Sequence, residues 1–287
     1  MSYALRLTPY ALLLTSCSLI APPATIPSYI RVQSYTVKDT ALLGQGTTSS
    51  NITDIWVDEN SDFRGIYQLP VSVPILNSGP VTISLQAVVQ EDGIVSNLLP
   101  YPFYTYYNTN VNLQPGKLDT IHPIFYYNSK TKFAWPGGDF ETNNSVLKTF
   151  PPNNADCYIT TSKDSVFEGL RSYAVNLSTG HDTFNVKSSL LFTPPASDIV
   201  WLEMNYKTDF PMDIGINLVN PANPSPPGPQ EFISGVNPTT SWKKIYINVT
   251  SALQYFNQYP NFFIYFYATG SGNGHILIDN LKLLYLE

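Results

Sequence analysis

Short segments in which apolar and polar residues alternate recur along almost the whole chain, and this pattern constrains the fold more than any other feature. Alternation with a period of two is typical of β-strands that bury one face. Turn residues separate the segments, for example at 77–80 and 91–93. No stretch of residues 28–127 has a sustained helical period with caps. The sequence therefore predicts an all-β protein.

The first half of the chain is predicted to form one small antiparallel sandwich over residues 28–127. Its predicted strands are 29–37, 52–58, 63–69, 81–89 and 118–127. Residues 128–136 are polar and then rich in Pro and Gly, so they are predicted to be a linker.

The second half, residues 137–287, is predicted to form a β jelly roll because it holds nine strand-like segments. These segments are 158–161, 171–177, 184–191, 199–208, 212–219, 231–236, 242–249, 262–268 and 275–283. Residues 250–255 are predicted to form a single helical turn capped by the Thr250 side chain.

Composition excludes some functions. The chain carries 15 basic and 21 acidic side chains, a net charge of −6, which argues against nucleic acid as a partner. Three histidines, His122, His181 and His275, lie at none of the spacings that metal hydrolases use. No nucleophile elbow, P-loop or dinucleotide fingerprint occurs. We therefore predict a non-catalytic protein, and a glycan-active enzyme is the weaker reading.

Cys17 follows the short apolar run of residues 11–16, which Arg6 precedes. This layout is typical of a secretory signal, and the run is too short to span a bilayer. Leu14-Thr15-Ser16-Cys17 resembles the lipobox of bacterial lipoproteins. The alternative is an ordinary cleaved signal peptide with a chance cysteine.

The lipobox resemblance implies that residues 1–16 are a signal peptide, that Cys17 is lipidated, and that residues 17–27 form a tether. Two or more acyl chains hold a protein stably to a membrane. Ser18 is not the Asp that retains lipoproteins at the inner membrane in some bacteria, so an outer-membrane lipoprotein of the cell envelope is implied. Its facing, periplasmic or surface, is left open.

The segment from Gly138 to the end resembles the galactose-binding-like jelly rolls that include many carbohydrate-binding modules. The resemblance lies in the opening Gly-Asp-Phe-Glu of 138–141, the strand 169–175, the Trp-Lys strand of 241–247 and the closing strand 276–281. It implies a carbohydrate-binding function. In that family the opening acidic residues and the closing Asp often share a structural calcium ion, which carries over to Asp139, Glu141 and Asp279.

Residues 28–127 resemble an N-terminal sandwich of Bacteroidetes lipoproteins, in the runs 52–57, 65–70 and 101–104. By analogy this sandwich is immunoglobulin-like or transthyretin-like. The analogy brings no activity with it.

Sugar recognition needs aromatic faces for pyranose rings and polar side chains for hydroxyls. In the second half, Tyr255 and Tyr259 flank a turn and are candidates, as are Trp135 and Tyr206. Trp201 and Tyr265 are further candidates, although Trp201 and Trp242 lie in predicted strands beside apolar neighbours, which favours the core for both tryptophans. The competing function is a structural or assembly scaffold that binds another envelope protein. In both hypotheses the lipid on Cys17 holds the protein to the membrane.

Overall fold

A computed structural model describes residues 24–142, 145–194, 199–220, 222 and 228–287. Those residues form 21 strands and one short helix, so the predicted all-β class is confirmed. Among them, no helix has the length and apolar character needed to cross a membrane. The predicted signal peptide, Cys17 and most of the predicted tether lie outside the described residues.

The first half contains ten strands in three sheets. They are β1 (Ser28–Val32), β2 (Thr36–Lys38), β3 (Asp54–Glu59), β4 (Asp62–Gln68), β5 (Val71–Ile75), β6 (Gly79–Gln90), β7 (Leu98–Pro100), β8 (Tyr107–Leu113), β9 (Leu118–Ile121) and β10 (Ile124–Tyr126). The sheets have the orders β5-β1-β9, β2-β10 and β4-β3-β6-β7, with β8 also paired to β6.

The purely antiparallel sandwich expected for the first half is wrong in two places. β1 pairs with β9 in parallel, and β2 pairs with β10 in parallel. Each of the predicted strands 29–37 and 118–127 is in fact two strands that lie in different sheets. The second break falls at Pro123, which has no backbone N–H to donate to a ladder.

The predicted linker and the second half together contain eleven strands. They are β11 (Thr131–Phe133), β12 (Leu147–Thr149), β13 (Asp156–Thr160), β14 (Ser172–Leu177), β15 (Thr183–Ser188), β16 (Val200–Thr208), β17 (Met212–Val219), β18 (Gln230–Val236), β19 (Lys243–Asn248), β20 (Asn261–Thr269) and β21 (Gly274–Leu286). A six-stranded sheet has the order β13-β14-β21-β16-β19, with β11 on β21, and a five-stranded sheet has the order β12-β15-β20-β17-β18. Their facing sides bury one apolar core.

The predicted linker contains β11, a strand that the sequence did not predict, and β11 pairs with the end of β21. Phe133, the last residue of β11, and Trp135 after it are buried. Backbone pairing therefore continues across this segment, and the domain boundaries themselves stay a prediction.

The helix α1 spans Thr250–Tyr255, as predicted, but the Thr250 side chain does not cap it. The Thr250 hydroxyl instead bonds to the backbone of Val200 on β16, at 3.2 Å from its N–H and 3.3 Å from its carbonyl oxygen. The side chain of Asn248 accepts from the Thr250 N–H at 3.0 Å. An asparagine amide thus satisfies a backbone donor at the first turn of this helix.

The outward side of the six-stranded sheet is covered by the first half of the chain. Trp201 on β16, Tyr246 on β19 and Leu284 on β21 belong to the apolar core of the first half rather than to that of the jelly roll. The ring of Tyr101 contacts Trp201 at 5.4 Å and Tyr246 at 4.9 Å between centroids, both edge to face. We call this contact the junction.

Buried charges lie within the junction. Glu203 on β16 forms an ion pair with Lys244 at 2.7 Å and accepts the hydroxyls of Tyr101 at 2.5 Å and Tyr127 at 2.9 Å. Lys282 on β21 donates to the carbonyl oxygen of Thr47 at 2.6 Å. A buried carboxylate needs such partners, because burying an unpaired charge is costly.

Candidate functional site

The five-stranded sheet presents its outward side away from the junction, and its middle strand β20 carries aromatic rings there. Phe262, Ile264 and Phe266 point into the jelly-roll core. Since successive side chains of a strand point to opposite faces, Phe263, Tyr265 and Tyr267 line the outward side. The rise of a strand places them about 7 Å apart. We call these three residues the aromatic row.

Polar side chains on the neighbouring strands flank each ring of the row. In the strand register Tyr267 lies between Asn185 on β15 and Asp213 on β17. Lys187 on β15 is opposite Tyr265, and Asn217 on β17 is opposite Phe263. Every ring therefore has an amide, ammonium or carboxylate group beside it.

The row is held in place by close packing. The ring of Tyr265 lies over Gly215 on β17, where a Cβ atom would meet the ring carbons at 2.6 Å. Only glycine leaves room for this ring. The ammonium of Lys187 sits over the rings of Phe150, at 4.5 Å, and Phe263, at 4.1 Å from the centroids.

Two asparagines of this face keep an unused acceptor. Asn185 and Asn217 are 2% and 1% exposed. Asn185 donates its amide to the carbonyl oxygen of Pro151 and Asn217 to that of Gly228, at 3.3 and 3.2 Å. The Oδ1 atom of each is buried without a hydrogen-bond partner. Nearly all buried polar atoms are paired in proteins, so these two oxygens stand out as places where a donor fits.

Burial also shifts the pKa values of this face. It lowers the pKa of the Lys187 ammonium. It raises the pKa of the Tyr265 hydroxyl, and the negative charges of Asp213 and Glu231 raise it further. Tyr265 therefore stays a neutral hydroxyl, able to donate and accept, throughout the neutral range.

A cleft of about 310 Å³ adjoins this face at residues 149–154, and the ring of Phe150 lines it. Asn154 joins it to a larger cleft of about 800 Å³ at one end of the jelly roll. Amide, carboxyl and imidazole side chains line the larger cleft, among them Asp156, His181 and His275. The combined surface offers rings beside hydrogen-bonding groups.

The ligand-contacting aromatics predicted from the sequence do not gather into one site. Tyr255 is 78% exposed at the end of α1, where it contacts Phe256 edge to face. Tyr259 and Tyr206 are half-buried against the jelly-roll core. Trp135 is 3% exposed, so its ring offers no open platform.

The aromatic row was largely missed by sequence reasoning. Tyr265 was among the candidate rings, whereas Phe263, Tyr267 and their polar neighbours were not. One signal was present: β20 reads Asn-Phe-Phe-Ile-Tyr-Phe-Tyr-Ala-Thr, with apolar or aromatic residues on both faces. Because only one face of β20 packs into the core, the aromatic residues on its other face indicate a second role for that face.

The residues predicted to hold calcium are engaged with the protein. Glu141 accepts the backbone N–H groups of Leu170 and Arg171 at 2.8 and 3.2 Å. Asp279 is fully buried and accepts the Ser172 hydroxyl at 2.7 Å. Asp139 accepts the N–H of Glu141 at 3.4 Å. In the described part of the chain, no group of three or more His, Cys, Asp or Glu side chains is arranged to hold a metal ion.

Burial raises the pKa of Asp279 to about 6, hydrogen bonds from Ser172, Asn280 and Glu168 lower it in part, and the charge of Glu141 raises it again. Two carboxylates therefore lie close enough to repel each other.

The histidines form no catalytic relay in the described contacts. His122 bonds to the hydroxyls of Thr36 and Ser34, at 2.8 and 3.1 Å. His275 faces a carboxylate, Asp209, at 3.6 Å. His181 bonds to the backbone carbonyl oxygen of Asn154 at 2.8 Å. A relay needs a hydroxyl and a carboxylate on the same imidazole, and none of the three histidines has both among these contacts.

Comparisons with known proteins give similarities of low identity. No protein-family profile matches the chain, and no curated protein is similar to it. TmCBM61 in complex with β-1,4-galactotriose is 15% identical over 54% of this chain and 99% of its own, with a TM-score of 0.36. The family 11 carbohydrate-binding module of the Clostridium thermocellum cellulase Lic26A-Cel5E is 16% identical over 53% of this chain and 93% of its own, with a TM-score of 0.38.

A third structure covers more of the chain. It belongs to the carbohydrate-binding modules of the β-sandwich superfamily and is 13% identical over 81% of this chain and 85% of its own, with a TM-score of 0.37. Similarities at this level do not assign the chain to a family.

Proposed function

We propose that the protein binds carbohydrate through the outward face of its five-stranded sheet and that it is not an enzyme. One observation carries the proposal: the aromatic row on β20 is flanked by polar side chains in every register row, and two of these keep a buried acceptor without a partner. The faces of aromatic rings stack on the apolar faces of sugar rings, while amides and carboxylates bond to hydroxyls.

The order of groups along β20 favours a chain of several sugar units. Phe263 and Tyr267 are half-buried and offer ring contacts at two points of the strand, while Tyr265 between them is 7% exposed. Asn217 and Asn185 lie beside the first and the last ring, so hydrogen bonds can fix the two ends of a bound segment. A neutral oligosaccharide fits this arrangement, because the polar groups here include both signs of charge.

A glycan array with the purified chain tests the proposal, followed by calorimetric titration of the best oligosaccharide. Tyr267→Ala is expected to weaken binding about tenfold, which corresponds to roughly 1.4 kcal/mol. Tyr255→Ala is the matched control, since its exposed ring lies on α1 rather than on the sheet. A blank array, or a loss of binding in Tyr255→Ala with none in Tyr267→Ala, would contradict the site.

We also propose that Cys17 anchors the protein to the outer membrane through its lipid. The support is the lipobox-like run before it. Mass spectrometry of the protein from bacterial membranes is expected to find acyl chains on Cys17, and Cys17→Ser is expected to release the protein into the soluble fraction. If Cys17 is found unmodified on a protein that is secreted, the proposed lipid anchor is wrong.

A structural calcium ion at Asp139, Glu141 and Asp279 belongs to the same proposal. The support is the raised pKa of Asp279, because a cation beside two carboxylates relieves their repulsion. If the ion binds only the folded state, calcium raises the melting temperature and a chelator lowers it. A melting temperature that is the same in calcium and in chelator would remove calcium from the proposal.

A further inference from the structure

A small cleft lies at the junction, on the other side of the jelly roll from the aromatic row. Residues 44–46 of the first half form one wall, and residues 135–139 and 280–282 form the others. Its volume is about 230 Å³. Both halves of the chain therefore contribute to a single cavity.

Gln45 lines this cleft, and its side-chain amide carries a hydrogen-bond donor that no described atom accepts. Its side chain is 1% exposed. Its Oε1 atom accepts the backbone N–H of Thr40 at 3.2 Å and the Thr40 hydroxyl at 2.5 Å. Because a backbone N–H can only donate, these bonds fix which end of the amide is the oxygen. The Nε2 atom is left buried without a partner.

The remaining walls combine charge, an aromatic ring and bare backbone. Lys282 and Asp139 bring one charge of each sign, so the cleft suits a neutral molecule with donors and acceptors. Trp135 also lines the cleft, although its ring is 3% exposed and gives no open stacking face. Gly138 lies so close to Leu281 that a Cβ atom would fall 1.8 Å from the Leu281 carbonyl oxygen, so this wall has no side chain.

We infer that this cleft is a second binding site, which takes a single sugar residue between the two halves of the chain. The buried Nε2 of Gln45 donates to a sugar oxygen, and the Asp139 carboxylate accepts from a hydroxyl. Sites for drug-sized ligands have about 300 to 1,000 Å³, so a smaller cleft holds one ring rather than a chain. The inference takes only the class of ligand from the proposed function; the residues are different.

The first test is titration of the full chain with a panel of methyl glycosides of hexoses, pentoses and N-acetylhexosamines at millimolar concentration. Tryptophan fluorescence and calorimetry report binding. At least one glycoside is expected to bind and to raise the melting temperature, because it contacts both halves. No response to any glycoside, or a response to free amino acids instead, would overturn the inference.

Variants separate this site from the sheet face. Gln45→Glu keeps the oxygen that Thr40 uses and replaces the free donor by an acceptor, so binding of the glycoside is expected to fall at least tenfold. Tyr267→Ala is expected to leave it unchanged while it weakens oligosaccharide binding. If Tyr267→Ala abolishes both, the cleft is not a separate site.

Asp139→Asn covers the case in which Gln45→Glu does not fold. The amide keeps one oxygen for the N–H of Glu141, but it loses the charge and replaces the second acceptor oxygen by an NH2 donor, so glycoside binding is expected to weaken several-fold. Hydrogen exchange gives an independent readout: the bound glycoside is expected to slow exchange in residues 44–46. Unchanged affinity in Asp139→Asn together with unchanged exchange would contradict the site.

Discussion

Glu203 is the residue on which the junction depends most. Burial alone would raise its pKa, but the charges of Lys244 and Lys282 and the hydrogen bonds from Lys244 and Tyr101 outweigh burial and hold the pKa below its ordinary value. Burial also acts on the ammonium of Lys282 and lowers its pKa to about 8, while the charge of Glu203 acts against this shift. The carboxylate is thus charged at neutral pH and keeps two buried lysines compensated.

Removing that carboxylate leaves both ammonium groups buried. Glu203→Ala is therefore expected to lower the free energy of unfolding by about 3 to 5 kcal/mol, the usual result of breaking a buried ion pair. Urea unfolding measures it. Lys132→Ala is the control, since the Lys132–Glu287 pair at 3.6 Å is about half exposed and such pairs contribute less than about 1 kcal/mol. Equal losses in the two variants would contradict a special role for Glu203.

Two other acidic residues, Asp92 and Asp279, have raised pKa values, so they stabilise the folded state at low pH, whereas Glu203 stabilises it at neutral pH. Burial raises the pKa of Asp92 to about 6, with a further rise from the charge of Glu91, and Asp279 has a similar value. An aspartate in an unfolded chain titrates near 3.9. The folded state therefore favours the protonated acids, and this contribution is complete below about pH 4 and lost as the pH rises through about 6.

In a chelator, which keeps calcium away from Asp279, the melting temperature is thus expected to rise when the pH falls from 7 to about 5.5. At 1.36 kcal/mol per pKa unit the two acids together contribute roughly 1 to 3 kcal/mol over that window. The double variant Asp92→Asn with Asp279→Asn is expected to flatten the profile. A profile that keeps its slope in the double variant would show that other groups cause it. The loss of the Glu203 contribution belongs to lower pH, because its folded pKa is depressed.

At the scale of elements, the strands that the sequence predicted are those with apolar residues on a regular period. All nine predicted strands of the second half have a counterpart in β13 to β21. β5 was missed because it contains Pro74, which a strand accepts only at an edge, and β5 is an edge strand. β8 alternates correctly, but it carries three asparagines, which are rare in strands.

The parallel pairing of β1 with β9 and of β2 with β10 could not be predicted from the alternation of apolar and polar residues. A period of two shows which residues of a strand face the core, and it does not show which strand lies alongside. Tyr29 of β1 pairs with Leu118 of β9, far along the chain. For the same reason Asn185 and Asn217 could not be assigned to the aromatic row, since β15 and β17 meet β20 only in the folded sheet.

The aromatic row shows a second limit. In β20 the inward residues Phe262 and Phe266 and the outward residues Phe263, Tyr265 and Tyr267 are equally aromatic. Alternation of hydrophobicity marks a core face only when the other face is polar. Here the outward side of β20 also carries rings, which polar side chains of β15 and β17 flank. The aromatic residues on the outward side of β20 therefore conceal which face belongs to the core, and the same residues form the proposed binding site.

At the scale of the whole molecule, the junction joins the two halves into one folding unit. It buries the rings of Trp201 and Tyr246 in the core of the first half and encloses the charges of Glu203 and Lys282. Unfolding of the first half alone would remove the partners that Tyr101, Tyr127 and Thr47 provide for Glu203 and Lys282. Unfolding of the second half alone would expose the apolar core of the first half where Trp201 and Tyr246 pack. Domains that share only small polar interfaces move independently, whereas this interface contains buried rings and paired charges.

The full chain is therefore expected to unfold in one cooperative transition. Calorimetry, far-ultraviolet circular dichroism and tryptophan fluorescence should give the same midpoint, with the calorimetric and van't Hoff enthalpies equal. Because Glu203 serves both halves, Glu203→Ala is expected to move the whole transition to lower temperature without splitting it, whereas Lys132→Ala leaves it in place. Two transitions in the unsubstituted chain, or a shift in only one probe with Glu203→Ala, would mean that the halves are energetically independent and that the junction cleft is a contact between two separate bodies.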